Sequence, residues 1–197
     1  MSSNVFGHTA DETATLARLH TRLERSAAER GLLDVAYRTI DTPVGVLLLA
    51  ATDNGLVRVA YDVQGHAQVL DALARTVSPR ILRAPARLDA AARQIDDYFA
   101  KRRKHFELPL DLRLASGFRR AVIEQLRRID YGQRQSYASV AAAVGSPRAV
   151  RAVGTACAHN PLPIVIGCHR VVRSDGSTGQ YAGGEQAKSA LLRLEAG

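Results

Sequence analysis

The sequence predicts an α/β N-terminal half followed by a mainly α-helical C-terminal half that carries a helix-turn-helix. Three observations predict it. An Asn54-Gly55 pair stands between two apolar runs, "VGVLLLAAT" and "LVRVAY", a strong short-range hairpin signal. Positive charge is unequally divided: residues 1–112 hold 15 Lys and Arg against 14 Asp and Glu, whereas residues 113–197 hold 12 against 5. Beyond residue 113 the apolar residues recur at helical spacing, with two short helices expected on either side of "GS" at 145–146.

The elements follow in order. "TADETATLARLHTRLERSAAERG" opens with a capping-box pattern, Thr9 to Glu12, and carries Leu16, Leu19 and Leu23 at helical spacing. It reads as one amphipathic helix, ended at Gly31, that precedes the main fold as a helical extension over residues 1–33. Residues 34–112 read as the α/β domain, with strands from "DVAYRTIDTPVGVLLLAATDNGLVRVAYD". A helix over "DAAARQIDDYFAKRRKH" gathers Ala91, Ile95, Tyr98 and Phe99 on one side. Its basic end, Lys101 to Lys104, suits the negative pole of a helix C-terminus. "ELPLDLRL" reads as an extended link, and the charge asymmetry begins there, so the second domain is expected over 113–197.

In that domain "SGFRRAVIEQLRRI" sets Phe118, Val122, Ile123, Leu126 and Ile129 on one face. "SYASVAAAV" is a short helix that Gly145 would end in a left-handed conformation. Ser146 is a candidate N-cap and Pro147 a first-turn proline for a second helix, "PRAVRAVGTACA". In a helix-turn-helix that second helix enters a DNA groove. Arg148 and Arg151 lie on it among small residues (Ala149, Ala152, Gly154) that permit close approach to a surface. Eleven of the twelve bases in this half are arginine, whose planar fork of donors suits phosphate. A solvated, soluble face explains such charge equally well, and small residues also suit a tightly packed helix pair.

Composition excludes several classes. No apolar run is long enough to span a membrane, and the start has no charged-then-apolar leader, so a cytoplasmic protein is expected. Cys157 and Cys168 are too few for a disulfide framework, and no Cys/His cluster has metal spacing. The remaining question is "PLPIVIGCHRVV". "PIVI" reads as a short buried strand with Cys168 emerging at its end beside His169. Neighbours on a strand point to opposite faces, so His169 would act on the thiol only through a water or a bend at Gly167. By itself the pair also fits a small, inert buried cysteine.

The ordered set Tyr137, "RAVG", "NP", "CHRVV", "GQYAGG" and "LLRLE" resembles the C-terminal domain of the O6-alkylguanine-DNA alkyltransferases, and residues 34–112 resemble that family's N-terminal domain. The resemblance implies a ribonuclease H-like α/β domain followed by a winged-helix-like helix-turn-helix that docks in the minor groove and flips the lesion out of the stack. It implies direct-reversal repair, a single-use transfer of the alkyl group from O6-alkylguanine to Cys168, with O4-alkylthymine as a second candidate substrate. Carried over by position, His169 deprotonates Cys168 through a water, Glu195 orients His169, Tyr137 serves the leaving guanine, and Asn160 holds the active-site turn. Arg151 fills the space the base leaves, with Arg148, Tyr137, Ser136, Ala149 and Gly154 on the DNA face. Tyr181, Ala182, Gly183, Pro163 and Cys157 are assigned to the guanine pocket, although Cys157 alone reads as a packing residue. No cofactor and no metal are implied. The partner implied is double-stranded DNA carrying O6-alkylguanine, bound without a membrane by a monomer, with cooperative loading on DNA left open.

One position departs from the pattern: Gly167 stands where the family has proline. Glycine loosens the backbone and restores an N–H, so a more mobile or wider nucleophile loop is expected. This leaves a second reading, a non-catalytic sensor of alkylated DNA that still flips the base. A cysteine hydrolase is disfavoured by the helix-turn-helix and the missing oxyanion arrangement.

Overall fold

A computed structural model describes residues 10–197. Its central strand sets the architecture. The strand β2 (Leu47–Thr52) is buried along its whole length, so both of its faces need cover. It lies between β1 (Val35–Ile40) and β3 (Gly55–Tyr61), antiparallel to both, and β4 (Ile81–Arg83) pairs parallel with β1, giving the order β3-β2-β1-β4. Alternate residues divide between two cores. Leu48 and Ala50 meet Val69 and Leu73 of α2 (His66–Thr76), while Leu47 and Leu49 join the larger core with Ile95 and Tyr98 of α3 (Asp89–Phe99). That larger core continues through Val122, Ile123 and Leu126 of α4 (Gly117–Leu126) to Cys168, so one apolar interior links the sheet to the helical half.

The outer edge of β3 does not face solvent bare. Leu56 N–H donates to Pro109 O (2.9 Å) and Asp111 N–H to Leu56 O (2.9 Å), so the link after residue 107 runs beside β3 in extended form. Further along, Val59 N–H donates to Pro161 O (2.8 Å). The N-terminal sheet therefore grips both the link and the segment leading to Cys168.

The helical half contains α4, α5 (Tyr137–Ala143), α6 (Val150–Ala158) and α7 (Gly184–Ala196), with a two-residue parallel pair of β5 (Gln135–Ser136) and β6 (Val171–Val172). Ser136 caps α5, its hydroxyl accepting from Ser139 N–H (3.0 Å). Gly145 ends the turn after it in the left-handed region, as its position suggested (φ 73°).

Several expectations need correction. The second helix begins at Val150, not Pro147: Ser146 caps nothing, Ala149 N–H closes a turn onto Ser146 O (2.8 Å), and Arg148 precedes the helix. "PIVI" is not a strand. Pro161 and Pro163 bring no N–H to a ladder, and the segment folds into a turn, with Pro163 bridging Ile166 and Ile164 at φ 74°. The basic run Lys101–Lys104 lies beyond the end of α3, with Lys101 itself left-handed. The helix α2 and strand β4 were not foreseen. At the N-terminus, α1 (Ala10–Glu29) forms, but Leu16, Leu19 and Leu23 are each about half exposed, while His20 Nε2 meets Arg83 O (2.6 Å). Thr9 of the expected capping box lies outside the described residues.

Gly55 is where the link and the sheet come closest. Its φ of 125° suits glycine alone, and a Cβ there would run into the carbonyl of Pro109. Gly55→Ala is expected to lower stability by about 1–3 kcal/mol, read as an earlier midpoint in urea. An unchanged midpoint would mean that the link is not seated on β3.

Candidate active site

A 3₁₀ turn, Cys168–Arg170, begins where the proline-rich turn ends, and all three of its residues are buried. Asn160 builds the preceding turn with its side chain: Oδ1 accepts from Leu162 N–H (3.0 Å) and Nδ2 donates to Ile166 O (3.0 Å). Its side chain thus bridges the turn that leads into the 3₁₀ turn. Cys168 N–H donates to Ile166 O (2.7 Å), so the nucleophile's backbone is fixed by the same turn.

Burial pushes the Cys168 thiol up to about 11, although a hydrogen bond from Asn160 and the charges of Lys188 and Arg170 act in the opposite direction. The resting group is a thiol, and attack needs a base. His169 Nε2 lies 2.8 Å from Glu195 Oε1. An ionised carboxylate only accepts, so Nε2 carries the proton and Nδ1 offers its lone pair. Nδ1 is buried and makes no hydrogen bond among the described residues. Burial also lowers the His169 pKa, more than Glu195 raises it, which keeps the ring neutral and basic.

Glu195 gathers five donors. Besides His169, its oxygens accept from Tyr98 Oη (2.7 Å), Gly132 N (3.1 Å), and Arg170 Nη2 (2.9 Å) and Nε (3.0 Å). Burial opposes its ionisation, but the bonds from His169 and Arg170 prevail and hold the carboxyl well below its usual range. Arg170 completes its own set by donating to Ile129 O (2.5 Å).

Tyr137 opens α5, and burial chiefly moves its hydroxyl up to about 12. The fully buried Lys188 donates from Nζ to Tyr137 Oη (3.3 Å) and to Val171 O (2.6 Å). Because Tyr137 Oη accepts from Lys188, its own proton is free to point elsewhere. Burial lowers the Lys188 pKa. Across the site Tyr181 shares a hydrogen bond with Tyr61 of β3 (3.0 Å) and stands edge-on to His169.

An open cavity of about 740 Å³ adjoins this centre, lined by Ala158, Arg173, the 176–180 segment and Tyr181. The expected pocket residues divide. Tyr181 lines it, whereas Ala182, Gly183, Pro163 and Cys157 do not. Gly183 packs so closely on Tyr61 that a Cβ would come within 2.6 Å of the ring, and Cys157 is buried on the inner face of α6. On the outer surface Arg148 and Arg151 are exposed, with Ala149 and Gly154 half-buried beside them.

The looser loop expected at Gly167 does not fit this packing. Gly167 is buried at φ −69°, a value proline also takes, and a Cβ on it would lie 2.8 Å from Arg170 Cδ and Nε. The guanidinium that holds Glu195 uses that space. Arg170, Lys188, Tyr98 and Tyr61 were missed in the sequence reading as site residues. For Lys188 a signal existed: positions 188, 191, 192 and 195 share one helical face, which buries the lysine and Glu195 with two leucines.

Comparison with known proteins gives a consistent result. The family model for the 6-O-methylguanine DNA methyltransferase ribonuclease-like domain matches residues 35–112, and that for the DNA binding domain matches 117–197. The chain is 38% identical over 161 residues to a methylated-DNA--protein-cysteine methyltransferase of Mycolicibacterium paratuberculosis, covering 82% of this chain and 92% of that protein. It is 38% identical over 160 residues to the constitutive enzyme of that name from Bacillus subtilis, covering 81% and 94%. Among solved structures, Mycobacterium tuberculosis OGT in complex with DNA superposes with a TM-score of 0.72 at 37% identity, covering 82% of this chain and 92% of that one. All of α1 lies outside the matched domains.

The buried Glu195 makes stability depend on pH. Its folded pKa is depressed, so its contribution is complete above the unfolded carboxylate value of about 4.3 and is lost as pH falls toward the folded value. Glu195→Gln leaves Arg170 without its counter-charge and is expected to cost about 3–5 kcal/mol at neutral pH. The gap to the unaltered protein should narrow as pH drops below about 4, which urea melts at several pH values would measure.

Proposed function

The chain belongs to the 6-O-methylguanine DNA methyltransferase family, and from that membership we propose the division of labour by which its residues repair alkylated DNA by direct reversal. The observation that carries the assignment is a buried thiol, Cys168, one residue from a neutral histidine whose Nε2 is bonded to a buried carboxylate. The alkyl group moves from O6 of guanine to Cys168 Sγ: the S–C bond forms, the C–O bond breaks, and the electron pair stays with the base. The thiol proton passes through a water to His169 Nδ1, and Glu195 stabilises the imidazolium that results. The Tyr137 hydroxyl donates to the leaving guanine, its oxygen held by Lys188. No tetrahedral intermediate arises, so backbone donors for an oxyanion are not required. The thioether is stable, and each molecule acts once.

Double-stranded DNA carrying O6-alkylguanine is the proposed partner. A base inside the duplex cannot bring its alkyl carbon to a buried sulfur, so flipping precedes transfer. Arg151, exposed in the first turn of α6 and free of ion pairs among the described residues, is the proposed occupant of the gap left in the stack. Arg148 in the preceding turn is proposed to contact phosphate, with Ser136, Ala149 and Gly154 allowing the backbone to approach. Tyr181 is the proposed wall of the guanine pocket; Ala182, Gly183, Cys157 and Pro163 lie outside the cavity lining and are not assigned to it. Monomeric action and a cytoplasmic location complete the reading. The sensor reading loses its main support, because Gly167 is packed against Arg170 rather than loosened.

Intact mass after incubation with duplex DNA containing one O6-methylguanine should rise by one methyl group, mapped to Cys168 and absent in Cys168→Ser. Lesion-selective binding without that gain would sink the transfer reading in favour of the sensor. Gly179 tests the pocket: at φ 62° its Cβ would fall 2.8 Å from Tyr137 Oη. Gly179→Ala is expected to slow methyl transfer by at least about tenfold while leaving affinity for undamaged DNA unchanged. Equal rates would remove Tyr137 from its proposed position beside the entering base.

A further inference from the structure

The N-terminal sheet domain contributes no residue to the thiol, the base or the DNA face assigned above, yet it reaches the site at three points. Val59 N–H of β3 holds Pro161 O, Tyr61 of β3 bonds Tyr181, and Tyr98 of α3 donates its hydroxyl to Glu195 Oε1 at 2.7 Å. The third contact stands apart because the same oxygen accepts from His169. We propose that Tyr98 is a positioning residue for alkyl transfer, supplied across the domain interface to fix the carboxylate that orients the His169 ring.

The argument begins with burial. Tyr98 is fully enclosed, its ring edge-on to Phe99 and Tyr131 and tilted against Phe106, so its hydroxyl has one direction in which to point. An O–H buried without a partner is costly, and here the partner is an ionised carboxylate, which makes the bond charge-assisted. The carboxylate in turn cannot rotate: Gly132 N–H and Arg170 Nε hold Oε2 on one side, and Tyr98 holds Oε1 on the other. With Glu195 pinned, Nε2 of His169 must be the protonated nitrogen, and Nδ1 is presented as the acceptor.

Tyr98 has a second effect, on how strongly Glu195 attracts the imidazolium. The titratable and charged groups around His169 are Glu195 and Lys188 of α7, Cys168 and Arg170 of its own turn, Tyr181 of the following loop, and Tyr98. Glu195 alone among these is an ionised anion in the resting site. Each donor on that carboxylate spreads its charge and weakens its pull on the ring proton. Removing the Tyr98 hydroxyl concentrates charge on Oε1, favours imidazolium, and takes the base out of service at a higher pH.

The inference rests on the transfer reaction proposed above, and its test separates the two. Tyr98→Phe keeps the ring and its aromatic neighbours. Single-turnover methyl transfer as a function of pH is expected to show its acidic limb raised by roughly half to one pH unit, about threefold to tenfold in rate on that limb. The His169 ring titration, followed by nuclear magnetic resonance without DNA, should move up by the same amount. Affinity for the lesion duplex should not change. Tyr131→Phe is the control, since its hydroxyl donates to Leu194 O on the same helix end without touching the carboxylate. A Tyr98→Phe protein with a lowered melting temperature but unmoved titration and pH profile overturns the proposal, as does an equal shift in Tyr131→Phe. Absence of methyl transfer in the unaltered protein sinks the reaction, while the ring titration still decides the positioning role. If Tyr98→Phe does not fold, the unaltered protein decides: a slowly exchanging hydroxyl proton coupled to His169 through Glu195 supports the proposal, and its absence overturns it.

Discussion

The buried carboxylate of Glu195 is the constraint on which the rest of the site depends. It lies in the last turn of the chain, yet it accepts from the 3₁₀ turn of the nucleophile, from the backbone at Gly132, and from α3 of the N-terminal domain. A lone carboxylate in such a place would be neutralised by protonation. Arg170 prevents this with two bonds from one guanidinium, whose stem passes close over the Gly167 backbone. The buried arginine thus keeps Glu195 charged beside His169.

The same carboxylate explains why two domains share one interior. The helix-turn-helix and the thiol lie within the C-terminal half, but one of Glu195's donors, Tyr98, comes from α3 of the N-terminal half. A strand edge normally invites pairing with another chain. Here β3 spends its edge on Pro109, Asp111 and Pro161, which ties the sheet to the link and to the turn that carries Cys168. Because these contacts are backbone bonds on an extended strand, they transmit position with little slack. The N-terminal domain acts as the abutment against which the reactive turn is set.

Legibility in the sequence followed the range of the interactions. The hairpin at Asn54-Gly55 and the short α5 ended at Gly145 are written in neighbouring residues and formed as read, while α4 formed but stops at Leu126, so Ile129, read onto its face, lies beyond its end. The 161–167 turn was misread because an apolar run announces burial, not conformation; two prolines and the side chain of Asn160 decide the latter. The start of α6 slipped by three residues because Ser146 and Pro147 suit a turn as well as a cap. α2 escaped notice because only Val69 and Leu73 are buried, too few to dominate its pattern. In the site, Cys168, His169 and Asn160 were legible from an ordered motif. Tyr98 and Arg170 were not, since a tyrosine on an apolar face looks like core, and nothing local says that its hydroxyl meets a carboxylate 97 positions away.

The energetics of the thiol decide how such a site can be both reactive and safe. Burial holds the Cys168 thiol well above neutral pH, so the resting sulfur is protonated. Burial also makes His169 a weaker base than an ordinary imidazole, so moving the proton to it in the resting site is uphill. A standing thiolate is therefore not what the fold provides. In the reaction proposed above it provides instead a neutral base of fixed tautomer and a carboxylate whose attraction strengthens as the imidazolium forms, which would couple proton loss to attack. Stray electrophiles meet a buried, protonated sulfur, and a protein that acts once loses everything when that sulfur is spent on the wrong molecule. On that proposal, only a substrate that carries its electrophilic carbon to the sulfur, and whose leaving base accepts from the Tyr137 hydroxyl, would offset the cost of deprotonation at the moment of attack.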